Sequence, residues 1–384
     1  MKELRAICDA YRKIDFTKQK AAIATVVRVI GSAYRSPGAR MLITDDGRWV
    51  GSISGGCLEG DALRKARGVM NDKKAITVTY DTSEEENKTF AINLGCNGII
   101  DVLLEPVDPE DKSNPIFLFE TLLDLEEDAA LATCFRGKDG MPGKKMLMKN
   151  KAVVFQDFND NNIRRRVESD LSGLFETRTS RAETYYMEDG ITEVFIELIQ
   201  PPTSLIIFGG GFDARPLSQM AKNLGWSVTV TDECVAHIVP VFFPDADNLS
   251  LCQRQFVEHN FKITANTACV LMSHNYDYDR DVLKTLLKTE ARYIGILGPR
   301  KRFDKMQKEF ANQNILLSDN DWDRIHAPIG IDIGAEAPDE IAIAIIAEIM
   351  GKLTNREAGF LKYRKAPIHL RDTTSEQVLK EAKI

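Results

Sequence analysis

The stretch Ser204-Leu205-Ile206-Ile207-Phe208-Gly209-Gly210-Gly211-Phe212-Asp213-Ala214 decides the fold class. An apolar run of strand character breaks at three glycines. A helical pattern, Pro216-Leu217-Ser218-Gln219-Met220-Ala221, follows. Strand, glycine turn and helix is the context of a nucleotide-binding loop. Glycine lets the backbone turn sharply near a phosphate, and the helix N-terminus offers unpaired N–H groups to the anion. A second β-type run, Ser227-Val228-Thr229-Val230-Thr231, ends in Asp232. An acid about 20 residues past such glycines can hydrogen-bond a ribose hydroxyl. Gly209, Gly211 and Asp232 are therefore candidate contacts for NAD(P). The plain alternative is an α/β unit that binds nothing.

Working outward, strands are expected at 205–208, 227–231, 249–252, 268–272 and 293–297, with helices near 214–224, 277–289, 300–313 and 338–352. This alternation predicts a Rossmann-like, doubly wound parallel sheet covered on both faces. Ligands bind outside the carboxyl ends of such strands. His274, in Ser273-His274-Asn275-Tyr276-Asp277, falls at that rim. It is a candidate base or hydrogen-bond donor, against a satisfied loop histidine. The glycine-rich segment from His326 to Gly334 reads as a buried loop at the same rim.

Upstream, Gln200-Pro201-Pro202 marks a linker, because paired prolines stop both helix and strand. The domains are thus 1–200 and 201–384. The first reads as α+β with mixed or antiparallel strands. A helix is expected at 4–14 and a β-run at 21–30. A hairpin with strands at 40–44 and 49–53 turns at Asp46-Gly47, a helix spans 57–70, and strands lie near 75–80 and 99–105. Residues 129–200 show short alternating runs and suggest an antiparallel extension of that domain.

Three loops of the first domain carry chemistry-bearing residues. Arg35 and Arg40 stand in a glycine-bounded loop, 31–41, and their planar donors suit phosphate oxygens. An ordinary loop with surface arginines is the alternative. Gly55-Gly56-Cys57 places a thiol at or near a helix start, where the dipole and free N–H groups favour a thiolate. Such a sulfur could ligate a soft metal; a small buried residue is the alternative. Cys96 is likewise glycine-flanked, in Gly95-Cys96-Asn97-Gly98.

Bulk properties narrow the classes. The 384 residues include 50 basic and 57 acidic ones, a net charge of −7, with 43% hydrophobic content. No basic block stands out, which argues against a nucleic-acid partner. No apolar run reaches the roughly 18 residues of a membrane span. Seven scattered cysteines without a C-x-x-C fit free thiols in a reducing cytoplasm. A homodimer is the default assembly.

Taken together, the loops resemble the XdhC/CoxI family of accessory proteins for maturation of xanthine dehydrogenase and related molybdenum hydroxylases. The matching stretches are 31–43, 51–61, 94–98, the glycine loop at 208–217, 243–247, 270–279, 293–302 and 325–349, in the family's order. The resemblance implies a two-part architecture, an N-terminal domain with the GGC motif and a Rossmann domain. It implies a chaperone that binds the molybdenum cofactor and delivers it to a xanthine dehydrogenase-type molybdoenzyme, with sulfuration by a cysteine desulfurase partner. The family's cysteines map onto Cys57 and Cys96, and Cys57 becomes the expected molybdenum neighbour. Departures are Phe212, Cys234 and Tyr34, where the family usually carries histidine, arginine and proline. An NAD(P)-dependent oxidoreductase is the second reading, and a redox adaptor using Cys57 and Cys96 the third.

Overall fold

The computed structural model describes residues 1–81, 98–188, 190–365 and 368. They form two compact units, divided between Pro201 and Pro202.

The first unit opens with helix α1 (Lys2–Tyr11) and continues with β1 (Ala21–Gly31), β2 (Arg40–Thr44), β3 (Trp49–Gly51), α2 (Glu59–Asp72), β4 (Ile76–Asp81) and β5 (Gly98–Val107). Then come α3 (Pro115–Leu122), β6 (Ala129–Arg136), β7 (Lys145–Lys149), β8 (Ala152–Gln156), α4 (Asn161–Thr177), β9 (Arg181–Met187) and β10 (Gly190–Ile199). The strands make two five-stranded antiparallel sheets, ordered β3-β2-β1-β5-β4 and β8-β7-β6-β10-β9.

These two sheets are the same motif twice. Each runs three strands, one helix, two strands, in the same spatial order. Register repeats as well: Thr25 lies opposite Arg40, and Thr133 opposite Lys145. Even the bulge repeats. Pairing skips Val27 between Val26 and Arg28, and skips Phe135 between Cys134 and Arg136. The sequence carries the trace, since Ala21-Ala22-Ile23-Ala24-Thr25 is echoed by Ala129-Ala130-Leu131-Ala132-Thr133, with Arg28 and Arg136 following alike.

The halves meet through matched residues. Val27 and Phe135, with Leu103 and Phe195, form a small buried cluster. Around it Arg28 reaches Asp101 at 2.7 Å and also pairs with Glu193, while Arg136 reaches Asp101 and Glu193 at 2.9 Å each. Arg40 pairs with Glu197, and Lys145 with Glu105. The buried charges among them, Arg40, Asp101, Glu105, Lys145 and Glu193, are tolerable because each is paired and hydrogen-bonded.

The second unit comprises β11 (Ser204–Phe208), α5 (Ala214–Asn223), β12 (Ser227–Asp232), β13 (Asn248–Leu251), α6 (Val257–Asn260), β14 (Thr267–Leu271), α7 (Tyr276–Leu286), β15 (Tyr293–Ile296), α8 (Arg300–Asn312), α9 (Asp319–Arg324), β16 (Ile325–His326) and α10 (Pro338–Leu353). Its sheet is parallel throughout and ordered β13-β12-β11-β14-β15-β16. One face packs Leu217 and Ala221 of α5 and Ile345 and Ile349 of α10. The other packs Val282 and Leu286 of α7 and Met306 and Phe310 of α8. Burial on both faces explains strands such as Leu205-Ile206-Ile207-Phe208, apolar at every position. The chain order reverses between β11 and β14, so their carboxyl ends flank a crevice.

Four details differ from the sequence reading, one of them in the second unit, where the segment from His326 to Gly334, read as buried, is half-buried to exposed. The hairpin's return strand stops at Gly51, and α2 begins at Glu59 rather than Cys57. Residues 161–177, read as part of an alternating segment, form helix α4, capped by the Asp160 side chain on the N–H groups of Asn162 and Ile163.

Candidate functional site

In the first unit the loops 32–39 and 52–58 leave one end of the first sheet, where β1 ends, β2 begins and β3 ends. They touch: a Cβ placed on Gly55 would lie 2.7 Å from Cε1 of the Tyr34 ring. Gly98 pairs with Gly31 at the same end. Cys96 lies outside the described residues.

The loop 52–58 is organised by Glu59, which the sequence reading did not single out. Its Oε1 accepts hydrogen bonds from Ser52 Oγ at 2.8 Å and from the N–H groups of Ile53, Ser54 and Gly55 at 3.1, 2.9 and 3.1 Å. Its Oε2 accepts from the N–H groups of Gly56 and Leu58 at 2.9 and 3.1 Å, and from Ser54 Oγ. Successive N–H groups curled around an anion make a nest. Glu59 is buried, which by itself would raise its pKa. Hydrogen bonds, those from Ser54 and Ser52 foremost, outweigh burial and bring it down to about 2. This explains the late start of α2: the carboxylate draws the preceding N–H groups into the nest, so the chain turns helical only at Glu59. An acid two residues after a Gly-Gly-Cys turn was the available signal.

Cys57 stands in this bend, ahead of the helix, and is exposed. Gly56 before it has φ +126° and nothing within 4 Å of a Cβ, so the approach to Cys57 is unobstructed from that side.

Arg35 and Arg40 are engaged within the fold. Arg35 pairs with Glu3, which also accepts the Arg40 N–H at 2.7 Å. The Arg40 guanidinium is buried against Glu197 and lies 4.8 Å over the Phe119 ring. A cleft of about 480 Å³ is lined by Glu3, Tyr34, Arg35, Arg40 and Glu197 among others.

In the second unit, Gly209 has φ +122°, and a Cβ there would sit 2.5 Å from Ser273 Cα. The β11 and β14 ends therefore approach more closely than any side chain allows. A Cβ on Gly211 would meet the His274 ring at 3.7 Å. His274 has φ +58°, is exposed, and its Nε2 lies 3.2 Å from Asp213 Oδ2. Asp232 is buried. Its Oδ2 accepts the Gly210 N–H at 2.9 Å and lies 2.9 Å from His237 Nδ1, while Oδ1 accepts the Cys234 N–H at 2.8 Å. The acid read as a ribose contact is thus committed to holding the glycine turn. Asp279 is buried under Ser273 Oγ at 2.6 Å and Arg302 Nη2 at 2.6 Å, and burial raises its pKa despite both. Asp213 and His237 were not singled out from sequence; no spacing rule marks them.

Among the described residues no group of three or more His, Cys, Asp and Glu side chains could hold a metal ion. None of their helices is long and apolar enough to cross a membrane.

Residues 17–81 match the model of the XdhC and CoxI family, and residues 205–349 that of the XdhC Rossmann domain. A crystal structure of a protein described as a xanthine dehydrogenase from Bacillus halodurans matches with a TM-score of 0.73 and 30% identity, covering 94% of this chain and 98% of that one. A Bacillus subtilis protein named as a probable xanthine dehydrogenase subunit is 29% identical over 87% of this chain and 93% of its own length. The molybdenum cofactor insertion chaperone PaoD of Escherichia coli is 22% identical over 88% of this chain and 85% of its own.

Proposed function

This chain belongs to the XdhC and CoxI family, and from that premise we propose that it is a maturation factor that binds the molybdenum cofactor and delivers it to a xanthine dehydrogenase-type molybdenum hydroxylase. The cofactor is cargo. A cysteine desulfurase acts as the sulfurating partner during handover.

The observation that carries the reading is the exposed Cys57 at the rim of an ordered loop. Molybdenum in this cofactor already holds the dithiolene sulfurs of its pterin. A carrier then needs one accessible soft donor, not a multi-residue metal cage. The exposed Cys57 thiol supplies such a donor. The relation to a protein named as a molybdenum cofactor insertion chaperone supports the same role.

Gly209 at the sheet's switch point favours a nucleotide-binding reading as well. One experiment weighs the two. The protein is incubated with purified molybdenum cofactor and, separately, with NAD(H) and NADP(H), then freed of unbound ligand. Retained molybdenum and pterin are expected. Retention of a nicotinamide nucleotide alone would replace the chaperone reading with the oxidoreductase one.

A further inference from the structure

We propose that Glu59 is the positioning residue for Cys57: its carboxylate fills the N–H nest of the preceding loop and holds that loop in the shape that presents the thiol. This rests on reading Cys57 as the cofactor-binding thiol.

The loop has little else to order it. Gly55 and Gly56 both have positive φ, at +85° and +126°. Ordering a residue costs backbone entropy, and glycine loses the most freedom. Ile53 and Leu58 are buried at the loop's ends, but Gly55, Gly56 and Cys57 between them are exposed. The Tyr34 ring lies against Gly55, and the Ser52 and Ser54 hydroxyls accept from the Gly55 and Leu58 N–H groups at 2.9 and 2.8 Å, but neither contact spans the loop. Glu59 does, through the N–H groups of Ile53, Ser54, Gly55, Gly56 and Leu58. The Cys57 N–H is not among them, so the residue that the nest leaves outside is the cysteine.

The second half of the same unit supplies a comparison. There the equivalent connection, from β8 to α4, carries Asp160, whose side chain accepts from Asn162 and Ile163 N–H at 2.7 and 3.1 Å. That is an ordinary helix cap, directed forward. The repeated motif closes without a nest, so the fold itself does not require one. The nest occurs in the half that carries Cys57.

A carboxylate is specific here. Glutamine would turn an NH₂ group against inward-pointing N–H donors. Alanine would leave the Ile53, Ser54 and Gly56 N–H groups without their acceptor, while Gly55 and Leu58 keep the Ser52 and Ser54 hydroxyls, and a small carboxylate from solution could then take its place. The test uses the full chain as Glu59→Ala and Glu59→Gln, with Cys57→Ala alongside. Molybdenum cofactor retention and backbone hydrogen exchange over residues 53–58 are read with and without acetate, and with acetamide as the neutral isostere. Faster exchange confined to the loop and a roughly tenfold loss of retention are expected, the scale of one charged hydrogen bond. Acetate should restore both in Glu59→Ala, and acetamide neither. A merely structural loss would not respond to the anion. Hydrogen exchange in Glu59→Gln, which keeps size, carries the test if the alanine chain does not fold. Unchanged loop exchange in either variant overturns the proposal. So does full retention in folded Glu59→Gln when Cys57→Ala has lost it. Full retention by Cys57→Ala fails the parent reading instead, and the loop exchange then reports on Glu59 separately.

Discussion

Arg40 and Lys145 occupy matching places in the two halves of the first unit, and each pairs with a glutamate on the other half's sheet, Glu197 and Glu105. A repeated motif has thus been joined to itself by reciprocal charges as well as by apolar contact.

Lys145 tests that joint. Lys145→Met leaves Glu105 buried without a partner, which should cost about 3–5 kcal/mol. Adding Glu105→Leu removes the stranded charge and should recover most of the loss. Urea denaturation of both chains measures it. A single variant within about 1 kcal/mol of the parent would show that the pair does not hold the halves together.

Glu59 ties stability to acid. Its folded pKa of about 2 lies below the ordinary 4.5, so the folded state binds its proton less readily than the unfolded one. The resulting stabilisation is complete above pH 4.5 and is lost as pH falls toward 2. In Glu59→Gln the stability curve across that window should be flatter by this contribution. Superimposable pH profiles for the two proteins would contradict the assigned role of the carboxylate.

At the glycine turn two neighbours should behave differently. Gly209→Ala meets backbone at 2.5 Å and an unfavourable φ, and should destabilise the second unit by roughly 1–3 kcal/mol. Gly211→Val has only an ordinary contact with His274 near its Cβ, so the protein should fold, yet the branched side chain blocks a phosphate. Equal thermal shifts for the two would contradict the difference.

Asp232→Asn should loosen the turn rather than change ligand choice. Both carboxylate oxygens are engaged inside the protein. A loss of about 1–3 kcal/mol is expected, with no change in preference between NAD(H) and NADP(H). A switch toward NADP(H) in titrations would restore the ribose role.

The second unit was largely legible because its signals are local. Alternating apolar runs and helical patterns, with the glycines at 209–211, give strand, turn and helix within about 20 residues of one another. The duplication in the first unit was present in the letters but lies more than a hundred residues apart, in Ala21–Arg28 and Ala129–Arg136. Local periodicity does not connect such segments; register and sheet order do. Cys57 was visible as a glycine-flanked thiol, but its place ahead of the helix was not. That depends on Glu59 turning back along the chain, a choice between forward helix capping and a backward nest that spacing leaves open. Arg40 read as an anion ligand because its partner, Glu197, is remote in sequence.

The measurement that decides the proposed function is cofactor retention by Cys57→Ala, taken together with its thermal unfolding and its ability to activate a molybdenum hydroxylase. The variant should unfold at the parent's temperature, because an exposed side chain contributes little to the core. It should lose the molybdenum cofactor and leave the hydroxylase inactive. Full retention by a normally folded Cys57→Ala chain would contradict the role given to this thiol.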